Sequence, residues 1–279
     1  MKQYALIGEN LGHSISPYIH NLIFKHIGIK GVYSLLDIPA ENLSGLIGSL
    51  SKPGSGGTGY AGINVTIPHK QNIMPYLNGI SPEAERIGAV NTVKICDNAA
   101  YGYNTDYYGF GYMLETAGID ISGKNIAVFG SGGASRSAIA YLLDNGAAEI
   151  NVFSKSSVRF DGLKASFPQI QCNLLEKNEK IHGHIAINTT PVGMFPITGQ
   201  AVISEKEAQR FEALADIVYN PIETEFIKIG RRLGKATQNG LYMLIGQALK
   251  AQEIFQNISI DPQLGEEIYK DIIENKILG

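Results

Sequence analysis

The sequence predicts an α/β protein of two domains, each built on a largely parallel sheet. Three observations carry this. Short apolar runs alternate with amphipathic stretches along most of the chain, the pattern left by strand–helix–strand units. From residue 124 onward the alternation is regular enough for a doubly wound sheet. A length of 279 residues also exceeds what one ordinary core organises, so two cores are expected.

The first strand, YALIG at 4–8, leads into a helix with marked ends. Ser16 reads as its N-cap, Pro17 as its first helical position, Ile19, Leu22, Ile23 and Ile27 as its apolar stripe, and Gly28 as its stop. A strand over 32–38, a helix over 41–50 and the glycine- and serine-rich loop SKPGSGGTG at 51–59 follow. In NVTIPHK (64–70), Val65 and Ile67 alternate with Asn64 and Thr66, the period of a half-buried strand, which Pro68 would end. Helices are expected near 71–77 and 82–88. AVNTVKI (89–95) reads as a strand, and Asp97-Asn98 turns it into AAYGYNT (99–105) as a hairpin, giving the first sheet one antiparallel edge.

The second half opens on KNIAVFG (124–130) and a helix from about Ala134 to Asn145. Strands EINVFS (149–154), IQCNL (170–174), HIAINTT (184–190), ADIVYN (215–220) and KATQ (235–238) come next, with helical stretches between most of them. Two helices, 241–255 and 263–277, follow. The expected domains are 1–105, to which 240–279 returns, and 106–239.

Hydrophobic residues make up 44% and charged residues 18%, values of a globular enzyme-like body rather than a disordered or fibrous chain. A net charge of −3 offers no broad cationic surface, which argues against nucleic acid and membrane surfaces as partners. No apolar run reaches the roughly 18 residues of a membrane span, and the start MKQYALIGENLGHS lacks a secretory signal, so a cytoplasmic protein is expected. Cys96 and Cys172 lie far apart, without CxxC spacing or clustered histidines, and no metal site is expected.

Strand IAVFG runs directly into Gly130-Ser131-Gly132-Gly133-Ala134-Ser135 and then an amphipathic helix. Glycines here allow a tight turn and a close approach of pyrophosphate to backbone amides, while the helix N-terminus adds partial positive charge. The segment therefore reads as the phosphate-binding turn of a Rossmann-type dinucleotide-binding domain, against the alternative of a tight turn without a ligand. After the next strand an NAD site usually places an acidic residue, whereas this chain has Ser154, Lys155, Ser156 and then Arg159. Hydroxyls and cations suit a 2′-phosphate, which favours NADP, with NAD the alternative.

Three polar clusters in the first half lack an obvious place in a core: Ser14 with Ser16, Asn64 with Thr66 and Lys70, and Asn91 followed by Asp106. Each has a structural alternative: capping for Ser16 and Asp106, a turn partner for Asn91, a solvated first turn for Lys70. Together they suit a small polyhydroxylated substrate, which needs several neutral donors and acceptors plus one group that moves a hydroxyl proton. Lys70 and Asp106 are the natural pair for that proton.

HSISPYIHN (13–21), NVTIPHK (64–70), GAVNTV (88–93), YNTD (103–106), GSGGAS (130–135), NTTPVGM (188–194), DIVYNP (216–221) and NGLYMLIGQA (239–248) together resemble the shikimate dehydrogenase family over nearly the whole length. The resemblance implies reversible NADP-dependent reduction of 3-dehydroshikimate to shikimate on the route to aromatic amino acids. It implies Lys70 as the acid/base residue with Asp106 as its partner. Ser14, Ser16 and Tyr219 would then lie at the substrate carboxylate, and Asn64, Thr66, Asn91, Asp106 and Gln247 around the ring hydroxyls. The cofactor would be held by residues 130–134, by Ser154, Lys155 and Ser156, and by Gly240. The family commonly has Asn-Arg-Thr where Ser154-Lys155-Ser156 stands, and lysine lacks the planar fork of arginine, so a relaxed NADP preference is expected. His69 replaces a usually apolar aromatic residue, and Glu9-Asn10-Leu11 a proline-containing turn. The rivals are a quinate/shikimate dehydrogenase with broader substrate or NAD use and a non-catalytic ligand sensor; a monomer or homodimer is expected.

Overall fold

The computed structural model describes residues 1–50, 59–175 and 181–278, so the expected loop at 51–59 lies, apart from Gly59, outside the described residues. The chain divides into two compact units. One combines Met1–Thr105 with Gln247–Ile277; the other holds Asp106–Gly246.

The first unit begins β1 (Lys2–Gly8), α1 (Ser16–His26), β2 (Gly31–Asp37), α2 (Leu43–Leu50), β3 (Tyr60–Val65) and α3 (His69–Asn72). It continues β4 (Gly79–Ile80), α4 (Pro82–Ile87), β5 (Thr92–Cys96) and β6 (Ala99–Tyr103). Its six strands lie in the order β2-β1-β3-β5-β6-β4. Strand β1 is parallel to β2 and β3, and β4 is parallel to β6. Strand β5 runs against both neighbours. The reversed strand therefore lies inside the sheet and not at its edge, because the short strand β4, which carries no sequence signal, extends the sheet beyond the hairpin. The hairpin forms as its turn residues demand: Asp97 and Asn98 both have positive φ, and Cys96 pairs with Ala99.

Strand β1 shows why the sheet is central. Ala5 and Ile7 enter one core cluster with Ile63, Val65 and Val93, while Tyr4 and Leu6 enter another with Phe24, Tyr33 and Phe255. Both faces are buried, as parallel strands require. Helix α1 starts one residue earlier than its expected cap: Ile15 holds the cap position without a side-chain bond, and Ser16 lies within the first turn. The stop is as expected, with Ile29 N–H reaching back to the Phe24 carbonyl (2.9 Å).

The second unit takes in nearly all of α5 (Thr105–Thr116), then β7 (Asn125–Phe129), α6 (Gly133–Asp144), β8 (Glu149–Ser154), α7 (Phe160–Ser166) and β9 (Gln171–Leu174). It proceeds through β10 (Ile185–Asn188), α8 (Glu205–Ala208), β11 (Ala213–Asp216), α9 (Glu225–Arg232) and β12 (Ala236–Gln238). The sheet order is β12-β11-β10-β7-β8-β9 and every pairing is parallel. Renumbered within the unit this is 3-2-1-4-5-6, the doubly wound order that opens a crevice between its first and fourth strands. Here those are β7 and β10.

Helix α10 (Leu241–Gln256) passes from the second unit into the first, and α11 (Gln263–Glu274) follows. Phe255 stacks on Tyr4 (ring centroids 5.3 Å apart) and lies directly over Gly62, where any Cβ would enter its ring. Helix α11 packs on α1, and Tyr18 donates its hydroxyl to Asp271. At the start of α10 a Cβ on Gly240 would fall inside the Ile217 carbonyl, and the atoms it meets are backbone, which cannot swing aside as a side chain would. Gly240→Ala is expected to lower stability by more than about 2 kcal/mol through overpacking, seen as a drop in the thermal transition.

Candidate active site

In the first unit, Asn64 is the next-to-last residue of β3 and is buried. Its Oδ1 accepts from the Tyr33 hydroxyl (2.8 Å), and its Nδ2 donates to Thr92 Oγ1 (2.9 Å) and the Asn91 carbonyl (3.3 Å). Asn91, also buried, turns its Oδ1 to the Thr105 N–H (2.7 Å) and the hydroxyls of Thr92 (3.1 Å) and Thr105 (3.2 Å). Thr105 Oγ1 reaches Gln247 Oε1 on α10 at 3.4 Å. Asn64, Asn91 and Gln247, expected together around a substrate, are thus joined in one hydrogen-bonded chain. Of its links, Tyr33 carries no sequence signal, and Thr92 and Thr105, though inside GAVNTV and YNTD, read individually as core.

The segment NVTIPHK leaves the sheet earlier than its alternation suggests. Strand β3 ends at Val65; Thr66 N–H still bonds the Ile7 carbonyl (2.9 Å), and His69 N–H closes a turn onto the Thr66 carbonyl (2.9 Å). Ile67 consequently points out, 75% exposed, instead of into the core. Thr66 is half-buried, its methyl where a Cβ on Gly8 would be. Lys70 sits half-buried in the first turn of α3, whose position is tied to Asn91 through a bond from Val90 N–H to the Lys70 carbonyl (2.8 Å). His69 fills its apolar position fully buried, with Nε2 against the Ile38 carbonyl (2.5 Å).

Ser14 and Ser16 form a local pair. Ser14 Oγ accepts from the Ser16 N–H (3.3 Å) and donates to Ser16 Oγ (3.1 Å). The preceding turn is made by Asn10 in the left-handed region (φ 59°). Asp106 lies inside the first turn of α5 and not ahead of it, so capping does not account for it; the N–H of Thr105 is taken by Asn91 instead. Asp106 and Tyr219 belong to the second unit and are both half-buried; burial raises the proton affinity of the Tyr219 hydroxyl.

At the switch point of the second sheet, Gly130 has φ 117°, which L side chains rarely adopt, and its N–H bonds the Phe153 carbonyl (2.8 Å). Gly132 caps α6 with extended backbone, and Gly133 and Ala134 form the first turn. A Cβ on Gly133 would meet nothing within 4 Å, which leaves the N–H groups of that turn open to an anion. Ser135 stands at the third fingerprint position, fully buried, with its hydroxyl satisfied by the Gly132 carbonyl (2.7 Å). Ser131 bonds Ser154 across the turn (3.2 Å), while Lys155 and Ser156 are exposed beyond β8. A cleft of about 350 Å³ is lined by Gly130, Ser131, Gly132, Ser154, Lys155 and Arg159 on one side. Thr189, Thr190 and Val192 line the other. Its glycine floor, helix N-terminus and cationic end fit a phosphorylated dinucleotide, and Lys155 and Arg159 fit a 2′-phosphate better than a bare ribose.

The wall after β10 is pinned by a buried group that sequence reading passed over. Asp216 Oδ1 accepts from Asn188 Nδ2 (2.9 Å) and Val218 N–H (3.0 Å), and Oδ2 from Thr224 Oγ1 (2.6 Å). Thr224 in turn caps α9, and Thr190 Oγ1 donates to Asn188 Oδ1 (2.6 Å). Among the described residues no cluster of histidine, cysteine, aspartate or glutamate could hold a metal, and no helix is long and apolar enough to cross a membrane.

A hydrogen-bonded polar set in one unit and a glycine turn on a doubly wound sheet in the other are the features of a dinucleotide-dependent oxidoreductase. The chain belongs to the shikimate dehydrogenase family. The family model for the shikimate dehydrogenase substrate binding domain matches residues 6–93. The shikimate dehydrogenase (NADP(+)) of Clostridium perfringens (strain SM101 / Type A) is 44% identical over 275 residues, 98% of each chain. The crystal structure of shikimate dehydrogenase 1 from Peptoclostridium difficile matches with TM-score 0.87 and 42% identity over the whole of both chains. That of the Thermus thermophilus enzyme in complex with NADP(H) and shikimate matches with TM-score 0.85 and 30% identity, covering 97% of this chain and 99% of that one.

Burial pushes the Asp216 carboxyl up to about 6 despite its three donors. A raised value means that its contribution to stability is fully present below the unfolded carboxylate value of ~3.9 and is lost as pH rises through about 6. The stability of the native chain relative to Asp216→Asn should therefore increase, by on the order of 2–3 kcal/mol, as pH falls from 7 to 4. Thermal melts of both proteins across that range check it.

Proposed function

We propose that this chain catalyses the reversible NADP-dependent interconversion of 3-dehydroshikimate and shikimate, with Lys70 and Asp106 as its acid–base pair. The observation that carries the reading is the hydrogen-bonded set of Asn64, Asn91 and Gln247 beside the Lys70 turn. Several neutral groups of fixed direction are what a ring bearing several hydroxyls needs. Relatives named as NADP(+) enzymes at 44% identity support the cofactor, as do the cleft's Lys155 and Arg159. When bound, the nicotinamide supplies or takes the hydride.

Lys70, protonated, gives a proton to the carbonyl oxygen in reduction; in oxidation its neutral amine takes the hydroxyl proton. Asp106 is the partner carboxylate in this reading. Asn64, Thr66, Asn91 and Gln247 hold the ring hydroxyls, and Ser14, Ser16 and Tyr219 the carboxylate. Residues 130–134, Ser154, Lys155, Ser156 and Gly240 serve the cofactor. The reading places the protein in the cytoplasm, as a monomer or homodimer, on the route to aromatic amino acids.

Purified protein with shikimate and NADP should show the absorbance of reduced nicotinamide, with quinate and with NAD as parallel arms. Lys70→Ala should lower kcat by about 10²–10⁴-fold while shikimate binding by calorimetry persists. Wild-type protein that binds shikimate and never turns it over would sink the reading in favour of a sensor. Arg159→Ala is expected to raise KM for NADP by about tenfold and leave KM for NAD within twofold, as loss of one charge-assisted phosphate contact requires.

A further inference from the structure

We propose that Tyr33 is a positioning residue for Asn64: stacked on buried His20, it fixes the carboxamide so that a single acceptor site on Oδ1 faces a substrate hydroxyl. The inference rests on the reading above, in which Asn64 holds the substrate.

The hydrogen-bond count of Asn64 carries it. A carboxamide offers two donors and two acceptor sites. Both donors are committed, to the Asn91 carbonyl and to Thr92 Oγ1, and one acceptor site is taken by the Tyr33 hydroxyl. What remains is one acceptor site on Oδ1, which suits an O–H donor and refuses a carbonyl. The Asn91 carbonyl cannot donate, so it fixes which end of the group is nitrogen. Tyr33 fixes the other end and decides which lone pair is left.

Tyr33 can do this because it cannot move. It is buried on β2, and its ring lies parallel to that of His20 on α1 (centroids 4.0 Å apart, 8° between planes). His20 is fully buried, and its Nδ1 accepts from Gln252 Nε2 on α10 (2.8 Å). Gln252 Oε1 accepts in turn from Gln256, which also bonds the Tyr4 hydroxyl (2.6 Å). Burial holds the imidazole neutral, its value pushed down to about 3, so the stack carries no charge at working pH. Helices α1 and α10 thus brace a phenol whose one polar atom touches the site.

The test is Tyr33→Phe, which keeps the ring and its stack and removes only the hydroxyl. With wild-type turnover of shikimate measured first, Tyr33→Phe should raise KM for shikimate about tenfold, equal to about 1.4 kcal/mol. KM for NADP and kcat should stay within twofold, the split expected when ground-state and transition-state binding fall together. In an Asn64→Ala background, or Asn64→Ser if alanine does not yield folded protein, the same change should have no further effect. An unchanged KM with a lowered thermal transition would overturn the proposal in favour of a purely structural tyrosine. So would a tenfold rise that persists in the Asn64 variants. Wild-type protein inert toward shikimate would fail the functional reading itself and take this inference with it, since Asn64 would then have no substrate to hold.

Discussion

One hydrogen bond organises the polar half of the first unit: the Thr105 N–H given to Asn91 Oδ1 at 2.7 Å. It lies where two demands meet. The first N–H groups of any helix lack a partner inside the helix, and here the start of α5 is buried, so water cannot serve. The Asn91 side chain meets that demand and is thereby held with its oxygen toward the helix. Everything linked to Asn91 inherits the orientation. Thr92 must donate to the same oxygen, Asn64 must turn its nitrogen toward Thr92 and the Asn91 carbonyl, and Tyr33 must then donate to what is left. Leaving any one of these buried groups unpaired would cost about 1–3 kcal/mol. A set of directed polar atoms is therefore a by-product of starting one helix in a dry place.

The second unit solves a different problem with backbone. Its cleft needs close approach and positive potential, which Gly130, Gly132 and the start of α6 provide without side chains. Side chains enter only at the margins. Asp216 shows the cost accepted there: its three donors do not fully offset burial, and the group is held partly against ionisation so that the loop after β10 and the cap of α9 stay in place. Polar groups are thus directed by side chains in one sheet and by backbone amides in the other.

Sequence patterning reached the parallel sheets and the glycine turn, and singled out the polar residues that the structure joins by hydrogen bonds, because each leaves a local mark. Glycine at 130 and 132 after an apolar run, and Asp97-Asn98 between two strands, encode their geometry within a few residues. What escaped was non-local. The reversed strand looked like an edge because β4, two residues long, is made by pairing with β6 and not by its own composition. Ile67 looked like core because alternation says nothing about where a strand stops, and the turn from Thr66 to His69 stops it early. Ser16 looked like a cap because capping and pairing with Ser14 use the same atoms. Tyr33, Thr92, Thr105 and Asp216 looked like ordinary interior, and only their partners distant in sequence reveal their roles.

The first unit is assembled from two separate stretches, while the second is nearly one continuous stretch. Phe255, which covers Gly62 and stacks on Tyr4, and Gln252, which anchors His20, leave the ribosome some 190 residues after β3. A nascent chain therefore carries β1 to β6 with one face lacking Ala251 and Phe255 of its core while the glycine-turn unit already has all its strands. Synthesis in this order delivers the coenzyme-type sheet complete and leaves the other awaiting its last helices, a window in which exposed strands invite aggregation and chaperones have their natural task.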